Sequence, residues 1–116
     1  MPAAEIEFLV YSVERLRRLG AEVWLVEAPM HPLRSRMVSK VRANIRGGMK
    51  AVQQQTGVTT IYLPEGLTFQ PDQWADPKHL NQAGAARYSA WLATELDLEA
   101  ARTRRLEAAS GPPHSM

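Results

Sequence analysis

An aspartate three residues before a histidine is the arrangement in this sequence that comes nearest to a catalytic pair. In Asp76-Pro77-Lys78-His79 the carboxylate of Asp76 could turn toward the Nδ1–H of the His79 imidazole. Such a carboxylate fixes the tautomer of the ring and stabilises its protonated form, which leaves Nε2 as a general base. The ordinary alternative is a solvated turn in which Asp76 accepts hydrogen bonds from nearby backbone N–H groups, and the spacing alone favours this turn.

Two residues that follow the pair indicate how it is attached to the fold. Asn81 is a favourable N-cap for the helix predicted next, because its side-chain oxygen can accept an unpaired N–H of the first turn. Gly84, without a side chain, is expected to let that helix pack tightly against the sheet. The pair follows the second predicted strand, and in open α/β sheets functional groups gather in loops at the carboxyl ends of strands.

The fuller string that closes the chain reads Asp76-x-x-His79-Leu80-Asn81-x-x-Gly84, followed by Tyr88-Ser89-x-Trp91-Leu92. It resembles the last conserved block of the SGNH/GDSL-type hydrolases. The resemblance implies a flavodoxin-like three-layer α/β/α sandwich and the chemistry of esterases, lipases, carbohydrate deacetylases and O-acyltransferases. It implies Asp76 as the acid and His79 as the base of a Ser-His-Asp triad acting on an ester or acylated carbohydrate. The resemblance covers this chain up to about Leu96, and it matches only the C-terminal part of such a domain.

The other parts of that catalytic site are missing from the sequence. The family's nucleophilic serine lies in a Gly-Asp-Ser block and its oxyanion donors include a Gly-x-Asn block, and neither string occurs here. Ser35 is the only serine with a suitable predicted position, and a helix N-cap is the better interpretation of it. Because base, nucleophile and oxyanion hole act as a unit, we expect the chain alone to be inactive or nearly so. An upstream segment or another chain would supply the nucleophile.

The apolar pattern predicts helices alternating with strands. In chain order, the predicted elements are an amphipathic helix at 3–19, an apolar strand at 22–28, a second amphipathic helix at 35–55, a second apolar strand at 58–63 and a third helix at Gln82–Leu96. The first helix should bury one apolar face: Ile6, Leu9, Val13, Leu16 and Leu19. A loop from Pro64 to His79 precedes the third helix. Residues 1–96 are therefore expected to form a partial domain, and residues 97–116 a helical-to-disordered tail.

The helix between the two strands is long enough for a right-handed crossover, which predicts parallel pairing and an α/β layered fold. Parallel sheets are found almost only within larger covered assemblies. Two strands therefore describe part of a sheet with two open edges. These edges support an alternative function as a non-catalytic interaction module, which would pair with a copy of itself or with a complementing chain.

Composition excludes several classes of protein and site. The 116 residues carry 14 Lys+Arg, 12 Asp+Glu and no cysteine, which excludes a disulfide scaffold, a Cys-based zinc site and a thiol nucleophile. His31 could line the same cleft as His79, although a histidine in a proline-rich turn is the ordinary interpretation. No third ligand accompanies these two histidines, so neither a metal nor another cofactor is expected.

Two further partner classes are not favoured by the sequence. Six Lys/Arg between Arg34 and Lys50 make a basic helix face that could contact phosphate groups. No aromatic side chains are interleaved for base stacking, so we do not expect nucleic acid as a partner. The sequence contains neither an apolar stretch of membrane-spanning length nor a signal peptide, which would make the chain as it stands cytoplasmic.

Overall fold

The computed structural model describes residues 1–31 and 35–109, without the side chains of residues 35–38. The elements of the described residues are, in chain order, α1 (Ala3–Arg18), β1 (Trp24–Val26), α2 (Ser35–Thr56), β2 (Thr59–Ile61), a short 3-10 helix (Pro71–Gln73) and α3 (Gln82–Ala109). The two strands pair in parallel, as predicted, and Leu25 lies opposite Thr60. The architecture is therefore mixed α/β with an open sheet.

The hydrophobic core lies between α1, α2 and one face of the sheet. Val13, Val52 and Val58 are buried together, and Val23 and Leu25 pack against them. Helix α2 packs on β2, and α1 packs beside α2. Helices α1 and α2 therefore lie on the same face of the sheet.

Helix α3 covers the opposite face of the sheet. Side chains alternate along a strand, so Trp24 and Val26 point away from the core between α1 and α2. Together with Glu22 they line a groove of about 310 Å³ whose other wall is Leu92 and Leu96 of α3. Helices on both faces are what the α/β pattern predicted.

Both strands are shorter than the predicted 22–28 and 58–63. The backbone ladder ends where the N–H of Glu27 donates to the carbonyl of Ile61 at 2.9 Å. The next N–H in the partner strand, that of Leu63, donates to the side-chain carboxylate of Glu27 at 2.7 Å. The apolar runs are thus longer than the paired strands because a buried carboxylate takes the next place in the ladder.

Helix α3 continues past its predicted end at Leu96 and finishes at Ala109. Residues 97–109 contain neither glycine nor proline and are rich in Leu, Glu, Ala and Arg, all of which favour helix. No local signal therefore ends the helix where we expected it. The first part of the predicted tail is continuous with α3, and residues 110–116, predicted to be disordered, lie outside the described residues.

Helix α1 buries fewer apolar side chains than its pattern predicted. Val13 is buried, but Leu16 and Leu19 are 44% and 70% exposed, so their predicted burial is wrong. Phe8 and Tyr11 are also exposed, at 68% and 58%. The physical reason is that α1 packs only on α2 and on the sheet, and no other described element covers its outer side.

Candidate functional site

Residues 74–80, here called the Asp-His loop, are closed at their base by backbone hydrogen bonds. Trp74 and Leu80 form an antiparallel bridge. Inside this bridge the N–H of Ala75 donates to the carbonyl of His79 at 2.8 Å. The loop is therefore a compact turn that starts from a fixed pair of residues.

Asp76 faces the imidazole of His79, as the spacing suggested. The carboxylate oxygens Oδ2 and Oδ1 lie 2.9 and 3.0 Å from Nδ1. Among the described residues no group is hydrogen-bonded to Nε2 of His79. The side chains of His79 and Asp76 are 74% and 50% exposed, so the pair lies at the surface within reach of a second molecule.

The same carboxylate also stabilises the turn, as the ordinary alternative predicted. Oδ1 of Asp76 accepts the backbone N–H of Lys78 at 2.7 Å and that of His79 at 2.9 Å. The hydrogen bond from Lys78, followed by the contact with the His79 ring, holds the pKa of Asp76 below its ordinary value of 3.8. Asp76 is therefore ionised at neutral pH, and one carboxylate performs both tasks.

Asn81 connects the Asp-His loop to the start of α3. Its Oδ1 accepts the N–H of Gly84 at 2.9 Å, which confirms the predicted N-cap. Its Nδ2 donates to the carbonyl of Asp72 at 2.5 Å, and its backbone N–H donates to the carbonyl of Gln73 at 2.9 Å. One residue thus fixes the first turn of the helix and the base of the loop together.

Gly84 packs against the loop rather than against the sheet. It is buried in the first turn of α3, where a Cβ would overlap the carbonyl oxygen of Gln73 and lie 2.9 Å from a methyl group of Leu80. The prediction that this glycine lets α3 approach the sheet is therefore wrong. The close neighbour is the backbone that supports the Asp-His loop.

Aromatic side chains pack against Trp74 at the base of the Asp-His loop. The Trp74 ring lies edge-on to His31 with 5.0 Å between ring centroids, and 6.5 Å from the ring of Phe69. Trp74 Nε1 donates to the carbonyl of Phe69 at 3.4 Å. His31 is only 8% exposed, so it supports the loop through Trp74 and does not line an open cleft with His79.

A buried carboxylate that sequence reasoning missed lies at the end of β1. Glu27 is 5% exposed, and its two oxygens accept hydrogen bonds from Arg46 at 3.0 and 3.1 Å. The hydroxyl of Tyr88 donates to the backbone carbonyl of Glu27 at 2.9 Å. A charged residue inside an apolar strand run, followed by a helix rich in arginine, was the signal that could have revealed this pair.

The serines have no described contact with His79. Ser12 donates to the carbonyl of Phe8 inside α1 at 2.8 Å. Ser35 is the first residue of α2, and its side chain lies outside the described residues. In the described part of the chain, no group of three or more potential metal ligands is present. No helix of that part has the length and apolar character needed to cross a membrane.

Comparisons with protein-family models, with curated proteins and with solved structures give no match to this chain. The resemblance to the SGNH/GDSL-type hydrolases is therefore an expectation from the sequence alone. The structure is mixed α/β with two parallel strands, and the flavodoxin-like sandwich remains an expectation from that resemblance.

Proposed function

We propose that Asp76 and His79 supply the acid and the base of a Ser-His-Asp triad in the C-terminal portion of an SGNH-like serine esterase or acyltransferase. The contact of the Asp76 carboxylate with Nδ1 of His79, at 2.9 and 3.0 Å, carries this proposal. Oδ2 receives neither of the backbone hydrogen bonds that hold the turn, so it is available to the imidazole.

In such a site Nε2 of His79 removes the proton from a serine hydroxyl while the serine oxygen attacks the ester carbonyl. The imidazolium, stabilised by Asp76, then gives the proton to the departing alcohol. Water, or a second alcohol in a transferase, releases the acyl group by the same proton transfers in reverse. The serine and the oxyanion donors would come from another polypeptide segment, and the 74% exposure of His79 leaves space for that segment.

The tautomer of His79 tests the proposed role of Asp76 directly. Nitrogen-15 NMR of the side chain should find the neutral ring protonated on Nδ1, because Asp76 accepts that proton. In Asp76→Asn the amide can donate to Nδ1, and the ring should shift toward the Nε2–H form. Asp72→Asn is the matched control, since Asp72 lies in the same segment and only its backbone carbonyl is used. An unchanged tautomer in Asp76→Asn would show that Asp76 serves the turn alone.

Activity measurements test the division of the catalytic site between two segments. The chain alone should hydrolyse p-nitrophenyl acetate weakly or not at all, and His79→Ala should remove whatever turnover remains. Co-expression with a segment that carries Gly-Asp-Ser and Gly-x-Asn blocks should restore turnover. Strong labelling of the chain alone by a fluorophosphonate would contradict the proposal, because it would place the nucleophile within these 116 residues.

A further inference from the structure

Arg87 of α3 joins the helix to the segment that precedes the Asp-His loop. Its Nη1 donates to the backbone carbonyl of Thr68 and, at 3.2 Å, to Oε1 of Gln73. Its guanidinium carbon lies 5.0 Å from the centroid of the Phe69 ring. One side chain of α3 therefore contacts three members of residues 68–73, here called the support segment.

The support segment is attached to both ends of the Asp-His loop. The backbone carbonyl of Gln73 accepts the N–H of Asn81 at 2.9 Å, just beyond the end of the loop. The residue after Gln73 is Trp74, which pairs with Leu80 across the base of the loop. A displacement of the support segment would therefore move both ends of the loop, and His79 with them.

The geometry of α3 places Arg87 beside this segment. Gly84 lies in the first turn of the helix, where a Cβ would overlap the carbonyl oxygen of Gln73. Residues three apart lie on the same side of a helix, so Arg87 follows Gly84 on the side that meets Gln73. The helix thus holds one residue of the support segment twice, by close approach to its backbone and by a hydrogen bond to its side chain.

The partners of Arg87 are neutral groups that suit a guanidinium better than an ammonium. None of the ion pairs between described residues includes Arg87. A planar guanidinium can donate to several acceptors and also lie over an aromatic ring, whereas a lysine presents a compact point charge. Arg87 makes both kinds of contact at once. Its chemistry therefore suits holding a segment in place rather than neutralising a carboxylate.

The support segment also has anchors that do not depend on Arg87. Phe69 is 5% exposed, and its ring lies 6.3 Å from that of Tyr88. The backbone N–H of Gln70 donates to Oε1 of Gln73 at 2.9 Å within the segment. Loss of Arg87 is therefore expected to loosen the position of the segment without unfolding it.

We propose that Arg87 is a positioning residue for His79, which holds the support segment so that the Asp-His loop presents Nε2 of the imidazole in one direction. The connection is a series of hydrogen bonds, from Arg87 to Gln73 and from Gln73 to Asn81. Its importance for catalysis rests on the proposed function, whereas the orientation of the ring is a property of this chain alone.

NMR of the His79 side chain tests this positioning without any turnover. The three-bond couplings about χ1 should report one rotamer in the wild type and averaged rotamers in Arg87→Gln. The urea midpoint should change little, which separates positioning from a general loss of structure. Arg102→Gln is the matched control, because Arg102 lies on the same helix, is 65% exposed and pairs with Glu99 of that helix at 3.6 Å. It should leave the couplings unchanged.

Arg87→Lys keeps the test valid if circular dichroism shows that Arg87→Gln does not fold. It retains the charge and the aliphatic stem, so the couplings should change in the same direction but less. The inference is overturned if the wild type already shows averaged couplings, or if Arg87→Gln, or Arg87→Lys in its place, keeps those of wild type. Equal changes in Arg87→Gln and Arg102→Gln would also overturn it.

Turnover separates a failure of this inference from a failure of the proposed function. In the protein completed by a segment with Gly-Asp-Ser and Gly-x-Asn blocks, Arg87→Gln should lower kcat about tenfold or more and change KM by less than about twofold. An undiminished kcat would overturn the inference and leave the proposed function intact. If no such segment restores turnover, the proposed function fails, and the couplings of His79 still decide whether Arg87 positions the ring.

Discussion

The guanidinium of Arg46 donates to both carboxylate oxygens of Glu27, which joins the middle of α2 to the end of β1. The Glu27 side chain is 4% exposed and that of Arg46 is 33% exposed. Arg46 also donates to the carbonyl of Leu63 at 2.7 Å, and its hydrogen bonds to Glu27 raise its pKa above the ordinary value. The carboxylate is therefore the more deeply buried of the two partners.

Arg46→Met should destabilise the fold by about 3 kcal/mol, because it leaves the buried carboxylate of Glu27 without its main partner. Arg42→Met is the matched control one turn earlier, since its Nε lies 4.0 Å from the same carboxylate. That variant should cost less than about 1 kcal/mol. Urea unfolding followed by circular dichroism measures both values. Similar losses of stability in the two variants would contradict the prediction, because the hydrogen bonds of Arg46 to Glu27 would then contribute no more than the longer contact of Arg42.

Asp76→Asn should lower stability in a pH-dependent way. Because the pKa of Asp76 is held below its ordinary value of 3.8 in the folded chain, its contribution is present above that value. It is lost as the pH falls through the lower folded pKa. The urea midpoints of wild type and variant should differ by a constant amount above about pH 5 and converge in stronger acid. Asp72→Asn is the control and should show no comparable convergence. A difference between wild type and Asp76→Asn that does not change with pH would show that the charge of Asp76 does not stabilise the fold.

Tyr88→Phe should cost about 1 kcal/mol at neutral pH, because it removes the hydrogen bond to the carbonyl of Glu27. Burial, and secondly the charge of Glu27, raise the pKa of Tyr88 above its ordinary value of 10.0. Its contribution is therefore complete below pH 10.0 and is lost as the pH rises through the folded pKa. The variant should show less alkaline destabilisation than wild type, while Tyr11→Phe, at an exposed tyrosine, should behave like wild type.

Gly47→Ala should stabilise α2 by about 1 kcal/mol, because alanine favours helix and a Cβ at this position meets no other atom within 4 Å. Its neighbour provides the control. A Cβ on Gly48 would lie 2.5 Å from the sulfur of Met1, so Gly48→Ala should gain clearly less or lose stability. Thermal unfolding of the two variants gives the comparison, and equal gains would mean that Met1 moves aside freely.

The sequence predicted those features that depend on local pattern. Apolar spacing located α1, α2 and both strands, and the short polar segment before Gln82 identified Asn81 as an N-cap. The contact of Asp76 with the His79 ring also followed from local spacing, since only three residues separate them. These features need no knowledge of distant parts of the chain.

Features that depend on long-range packing were missed or misjudged. Leu19 has the spacing of a buried residue but lies on a helix that has too few neighbours to cover it. Gly84 approaches the backbone at Gln73, a contact that spacing within α3 does not reveal. The pairing of Glu27 with Arg46 requires α2 to return over β1. Composition therefore indicated which residues could form an ion pair but not that these two lie in contact.

The parallel pairing of β1 with β2 has a consequence for synthesis on the ribosome. Trp24 and its partner Thr59 are 35 positions apart in the chain, and α2 lies between them. At about 5 to 20 residues per second, β1 waits roughly 2 to 7 seconds after its own emergence before β2 is available. Throughout that interval β1, the more apolar of the two strands, has both edges unpaired.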